Sequence, residues 1–288
     1  MTAWQFIVEP FAYPFMQRAL LVALVVASAC AILSCFLVLK GWSLMGDAVS
    51  HAVLPGIVLA FVAGVPLSLG AFVAGLFCAL ATGYIKAVSR VKEDTVLGIV
   101  FAALFALGLL LFVKVETDQH LTHVLFGNLL GTTWDEMVLL LAIALPVLAI
   151  LLAFNRTFML YVFDPVQART LGLPVGALNL LLLALLSAAC VAALKAVGVI
   201  LVVAMLVTPG AIGMLMARSF TTMMIVAWTS ATAASLAGIF LSFHLDLPTG
   251  PLIVVLQFLV FLAALLWQRV RQPPAILQTP VASLKRSA

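Results

Sequence analysis

The chain has 288 residues, 66% of them hydrophobic and 8% charged, with a mean hydropathy of +1.31. Soluble domains carry about 25% charged residues, so a chain this apolar cannot cover its own surface in water, and a soluble enzyme or binding module is excluded. The formal net charge of +4 comes from basic residues in short loops and the C-terminal tail, a distribution that sets membrane topology and does not point to nucleic acid.

In chain order, residues 1–17 carry Trp4, Phe6, Phe11, Tyr13 and Phe15 with prolines at 10 and 14, which suits an aromatic segment at the membrane interface. No Lys or Arg precedes Arg18, which argues against a cleaved signal peptide with a basic leader. Residues 18–270 form one transmembrane domain, and 271–288 a cytoplasmic tail. Apolar runs long enough to cross about 30 Å of hydrocarbon fall at 18–39, 48–64, 66–85, 95–113, 137–154, 176–194, 197–217, 222–243 and 250–267. The expected fold is thus an all-α polytopic membrane protein with nine spans. The second run is short and interrupted by Pro55-Gly56, so eight spans with one re-entrant piece is the alternative. Residues 118–131, with His120, His123, Gly127, Asn128 and Gly131, are too polar and too few to span, and lie along one surface or dip in.

Nine spans place Lys40, Lys86, Arg90, Lys92, Arg156, Arg169, Arg218, Arg269, Arg271, Lys285 and Arg286 on one side, leaving Arg18, Lys114 and Lys195 on the other. The first side is cytoplasmic by the positive-inside rule, so the N-terminus faces out and the C-terminus in. Cys30, Cys35, Cys78 and Cys190 sit inside apolar runs without Cys-x-x-Cys spacing, and read as packing residues.

The second run opens on a polar island, Gly46-Asp47-Ala48-Val49-Ser50-His51-Ala52-Val53-Leu54-Pro55-Gly56. Four residues apart on a helix, Asp47 and His51 project from one face. A carboxylate and an imidazole so placed either grip a divalent cation or hydrogen-bond each other as packing glue. Pro55 lacks an N–H, so the His51 carbonyl loses its intrahelical partner and the helix is expected to kink or break there, beside the small Gly56. A second interruption, Thr208-Pro209-Gly210, occurs in the seventh run and marks either a transport pathway or a plain kink.

The longest inner loop holds Asp164-Pro165-Val166-Gln167-Ala168-Arg169-Thr170-Leu171-Gly172. Asp164 can cap a short helix with Pro165 at its first position, and Gly172 can close it in the left-handed conformation. With small Ala168 and an exposed Arg169, this helix either docks into a groove on a partner or packs on its own bundle. The chain contains no phosphate loop, no Gly-x-Ser-x-Gly and no His-Glu-x-x-His, so uphill transport needs an energy source other than a nucleotide site of its own.

These stretches, together with Glu93-Asp94-Thr95-Val96-Leu97-Gly98, Leu125-Phe126-Gly127-Asn128-Leu129-Leu130-Gly131 and Asp246-Leu247-Pro248-Thr249-Gly250-Pro251, resemble the membrane permeases of metal-ion ABC importers. The resemblance is to the class that takes up manganese, iron or zinc, and the Thr208-Pro209-Gly210 version of the seventh run is closer to its manganese and iron branch. It implies a type II ABC importer permease fold in a bacterial cytoplasmic membrane, with no stably bound cofactor and a transported divalent metal held by Asp47 and His51. It implies a second permease subunit, same or sister chain, and an extracytoplasmic metal-binding protein. It also implies a cytoplasmic ABC ATPase dimer, seated on the loop helix through Asp164, Ala168, Arg169 and Gly172. Two facing copies would offer two carboxylates and two imidazoles, a donor set suited to Mn(II), Fe(II) or Zn(II). The competing class is a proton-coupled divalent-metal transporter that works without an ATPase, in which the capped helix has no role. An intramembrane metalloenzyme would need a third ligand and a general base near the pair.

Overall fold

The computed structural model describes residues 12–114 and 129–271. Residues 1–11 of the interfacial segment, the segment carrying His120 and His123, and the tail after Arg271 lie outside the described residues. Among the described residues there are twelve α-helices and no strand. They are α1 (Pro14–Lys40), α2 (Met45–Ala52), α3 (Leu54–Ala63), α4 (Leu67–Val88), α5 (Glu93–Lys114) and α6 (Trp134–Ala153), followed by α7 (Asn155–Phe163), α8 (Pro165–Thr170), α9 (Val175–Val197), α10 (Val199–Met216), α11 (Phe220–Leu245) and α12 (Thr249–Arg271).

Among the described residues eight stretches are long and apolar enough to cross a membrane, with α2 and α3 together supplying one of them over Met45–Ala63. The remaining apolar run of the sequence is α10 (Val199–Met216), whose described apolar stretch, Leu201–Met216, is shorter than these eight. This helix is enclosed by α1, α9, α11 and α12 and need not match the hydrocarbon thickness by itself, a constraint that binds helices facing lipid.

Aromatic and polar contacts show which helix ends lie together. Tyr161 of α7 meets Lys40 at the end of α1 and Asn179 near the start of α9, while Phe163 meets Phe220 edge-on at the start of α11. At the opposite end, Tyr13 and Phe15 before and within α1 pack on Phe243 near the end of α11. Helix α10 begins two residues after α9 stops and ends four residues before Phe220, so it runs from one end of the bundle to the other. The end that gathers Lys40, Arg156, Arg169 and Arg218 is the basic, cytoplasmic one.

Helix α1 is the central pillar: 78% of its most apolar stretch is buried, against 22% for α5 and for α12. In a bilayer the hydrophobic effect does not drive helices together, so close approach of small residues and internal hydrogen bonds decide the packing. Gly210 of α10 touches α1 at Ser34, where an added Cβ would lie 2.6 Å from the Ser34 carbonyl oxygen. On another side, Trp228 Nε1 of α11 donates to Ser28 Oγ of α1 at 2.8 Å, and that hydroxyl donates to the Leu24 carbonyl at 2.6 Å. Every polar group in that chain has a partner, as an apolar medium requires. Large side chains such as Leu69, Phe77, Leu110 and Val113 remain exposed on α4 and α5, a surface fit for lipid or another transmembrane subunit.

Candidate metal site at mid-membrane depth

Helix α2 carries the polar island. Its first turn presses into the bundle because Gly46 has no side chain: a Cβ there would stand 2.8 Å from Leu206 Cδ1 of α10. The Gly46 carbonyl receives the Cys190 thiol of α9 at 3.8 Å. Cys190 and Leu206 both sit well inside their helices, which places the start of α2 deep in the bundle. Ala48 and Val49 are buried, and Ser50 turns its hydroxyl back onto the Asp47 carbonyl at 2.7 Å. What remains on the open face is Asp47 and His51.

His51 Nε2 stands 3.4 Å from Asp47 Oδ1, with the two side chains 31% and 39% exposed. Two donors bound to one first-row ion at about 2.0–2.2 Å each are roughly 3.3–3.6 Å apart at the tetrahedral angle and roughly 2.8–3.1 Å at the octahedral one, so the pair can chelate one cation in tetrahedral geometry as it stands and in octahedral geometry after closing by a few tenths of an ångström. Among the described residues no group of three or more His, Cys, Asp or Glu side chains is close enough to hold a metal. Among the described residues the site thus offers two donors and an open side.

The imidazole is held by residues that sequence reasoning missed. Phe105 of α5 meets it edge-on at 5.5 Å between ring centroids, and Phe101, one turn earlier, lies at 6.1 Å. Both phenylalanines sit near the middle of α5, which fixes the pair at about half depth. Their four-residue spacing was visible in the sequence, but nothing in a uniformly apolar run marks which face meets α2.

Past the pair the helix is offset by a single residue. Val53 keeps right-handed helical angles (φ −68°, ψ −25°) and separates α2 from α3. The His51 carbonyl, which Pro55 cannot serve, accepts the Val53 N–H. Pro55 and Gly56 are both buried by packing: Pro55 lies on Gly108 of α5, and Gly56 meets Gly70 of α4. Thr208-Pro209-Gly210 does not end a helix, since α10 continues through Pro209 to Met216. Gly210 serves the contact with Ser34, and α10 reaches the start of α2 through Leu206, two residues before Thr208.

Far from the pair, α8 is a six-residue helix on the basic end. Asp164 Oδ1 accepts the N–H groups of Val166 and Gln167 at 2.9 and 2.8 Å, with Pro165 in the first turn. Gly172 takes φ +78°, and the N–H of Leu173 closes onto the Ala168 carbonyl at 3.0 Å while that of Gly172 closes onto Arg169 at 3.0 Å. That pattern is a Schellman closure, which needs a residue free to go left-handed. Arg169 is exposed but Ala168 is fully buried, so a surface formed by both is not available. On and beside α8 itself, Phe163, Val166 and Leu171 are exposed apolar residues.

The chain matches the model of a family described as ABC 3 transport family over residues 12–268. It is 57% identical over 263 residues to the chelated iron transport system membrane protein YfeD of Yersinia pestis, covering 91% of this chain and 89% of the relative. It is 43% identical to the manganese transport system membrane protein MntB of a Synechocystis species, covering 91% and 86%. Among solved structures it resembles PsaBC from Streptococcus pneumoniae, solved with a Fab, with a TM-score of 0.82 at 36% identity over 90% of this chain and 94% of that one.

Proposed function

This chain belongs to the ABC 3 transport family, as a membrane permease of a metal importer, and we propose that it conducts manganese and iron through Asp47 and His51. The observation that carries the reading is the pair itself: a carboxylate and an imidazole 3.4 Å apart, open on one side, at half depth in an apolar bundle. An ionisable pair at that depth is costly and is kept where it lines a path or binds something. The relatives named above are iron and manganese transport proteins, and the oxygen-plus-nitrogen donor set suits Mn(II), Fe(II) and Zn(II) while disfavouring soft Cu(I).

With two donors from one chain, a second permease subunit facing the first completes the coordination sphere. A metal-loaded extracytoplasmic binding protein delivers the ion from the outer end. A cytoplasmic ATPase dimer engages α8 and the exposed Phe163, Val166 and Leu171 around it, and its closure rocks the permeases to open the path inward. Two donors per chain keep the transient site weak enough to release its cargo. The working location is the bacterial cytoplasmic membrane.

The test is isotope uptake by cells carrying this chain, comparing manganese, iron and zinc with the ATPase present and absent. Uptake of manganese or iron that needs the ATPase and disappears in His51→Ala supports the reading. Preference for zinc replaces the cargo, and uptake that persists without the ATPase and follows the proton gradient overturns the importer assignment.

A further inference from the structure

Between α8 and the Asp47–His51 pair lies a set of contacts that neither site uses. Helix α7 leads directly into α8 through Asp164, and it is fastened to α1 at two points one turn apart. Phe158 of α7 meets Phe36 of α1 edge-on, with ring centroids 5.8 Å apart. Tyr161, three residues on, lies under Lys40, four residues on from Phe36, with Nζ 4.1 Å from the ring centroid. Spacings of three on one helix and four on the other align successive turns, so α7 cannot roll on α1 without breaking one contact or the other.

The ring is itself fixed from behind. Tyr161 is 3% exposed, and its hydroxyl donates to Asn179 Oδ1 of α9 at 2.6 Å. A cation over an aromatic face is worth more where water is excluded, and a hydrogen-bonded phenol keeps that face in place. Lys40 also lies 5.8 Å from the Trp42 ring, so one ammonium joins α1, α7 and the following turn.

That turn is short and stiff. Gly41 is left-handed (φ +78°), the N–H of Trp42 returns to the Leu37 carbonyl at 2.8 Å, and Met45 N–H bonds the Trp42 carbonyl at 3.0 Å, where α2 begins. A shift of Lys40 is therefore passed to the first turn of α2, which carries Asp47.

We infer that Tyr161 and Lys40 are positioning residues for transport: their cation–π contact makes α7 a strut that carries motion of α8 to the turn holding Asp47. The inference rests on the reading of α8 as the docking point of the ATPase. It assigns neither residue a contact with the metal, and neither lies at the exposed docking surface.

The experiment uses the assembled complex, permease with ATPase, in liposomes with metal-loaded binding protein outside. The variants are Lys40→Met, Tyr161→Leu and Lys40→Arg, and the readouts are ATPase retained on purification, ATP hydrolysed, and manganese moved per ATP. Lys40→Met keeps the apolar stem and so guards against a simple folding loss in Tyr161→Leu. The expected result is that Lys40→Met and Tyr161→Leu retain the ATPase and hydrolyse ATP, but move at least about fivefold less metal per ATP. Lys40→Arg, which can still stack on the ring, stays close to the wild type. An unchanged ratio in Lys40→Met and Tyr161→Leu overturns the inference, as does loss of the ATPase in step with loss of transport, or an arginine variant as impaired as the methionine one. A wild-type complex that moves no metal with ATP instead overturns the proposed function.

Discussion

Gly56 of α3 and Gly70 of α4 meet backbone to backbone, so that a Cβ built on either falls onto the other's carbonyl oxygen. Ala60 and Ala74, four residues on from each, flank the crossing, giving a small-xxx-small seam on both helices. Because the obstacle is backbone, no side-chain rotation relieves it.

Gly56→Ala and Gly70→Ala should each destabilise the chain by about 1–3 kcal/mol, the range for overpacking a close contact. Gly83→Ala on the same helix α4, where nothing lies within 4 Å of an added Cβ, should be neutral or stabilising by up to about 1 kcal/mol through helix propensity. Melting of the purified chain in detergent, followed by tryptophan fluorescence, separates the two outcomes. Equal melting of all three variants would show that the glycine seam is not under the constraint described.

Asp47→Asn and His51→Gln should leave assembly intact and lower metal uptake by at least about tenfold, since each removes one of the two donors that face each other at 3.4 Å. Phe105→Leu keeps an apolar neighbour for the imidazole and should cost less uptake than either. The check is isotope uptake normalised to complex recovered from the same membranes. Uptake that survives both donor substitutions would leave the pair as packing glue.

At the cytoplasmic end, Val166→Glu and Leu171→Glu put charge on an exposed apolar surface and should cut ATPase association with little effect on the permease's own melting. Ala168→Arg behaves differently. Ala168 is fully buried, so a guanidinium there disrupts the packing of α8 itself, and any lost association is secondary. Removing the cap with Asp164→Ala should cost about 1 kcal/mol of local stability. Co-purification with the ATPase, paired with melting of the isolated permease, tells surface effects from folding effects.

Burial pushes the Tyr161 phenol from its ordinary value of 10.0 up to about 12. A group whose pKa is raised on folding contributes stability that is complete below its unfolded pKa and is lost as pH climbs through the folded one. The wild-type chain should therefore lose stability between about pH 10 and 12, while Tyr161→Phe should show a shallower alkaline decline. Melting temperatures across that pH range test it, and parallel curves for the two proteins would exclude Tyr161 as the source.

The features legible in the sequence were those set by short-range pattern. Asp47 and His51 share a face because they are four residues apart, and the closure of α8 by Asp164, Pro165 and Gly172 needs only local backbone chemistry. Other features depended on distant partners. For Thr208-Pro209-Gly210 the sequence left a pathway or a plain kink open, and it took the fold to show Pro209 inside a continuous helix, with Gly210 letting α10 settle onto Ser34. Ala168 turned inward, and Phe101 and Phe105 turned toward His51, for reasons no window of this chain contains.

Composition by itself determined that this chain lives in a membrane, and i,i+4 spacing determined which two side chains could take a cation together. Tertiary structure alone decided which apolar faces meet protein and which meet lipid, and with that the depth of the pair, the aromatic wall beside it and the Lys40–Tyr161 link to α8. In water, hydropathy separates buried from exposed faces. In hydrocarbon both faces are apolar, so the choice passes to small residues that allow close approach and to polar groups that must find partners.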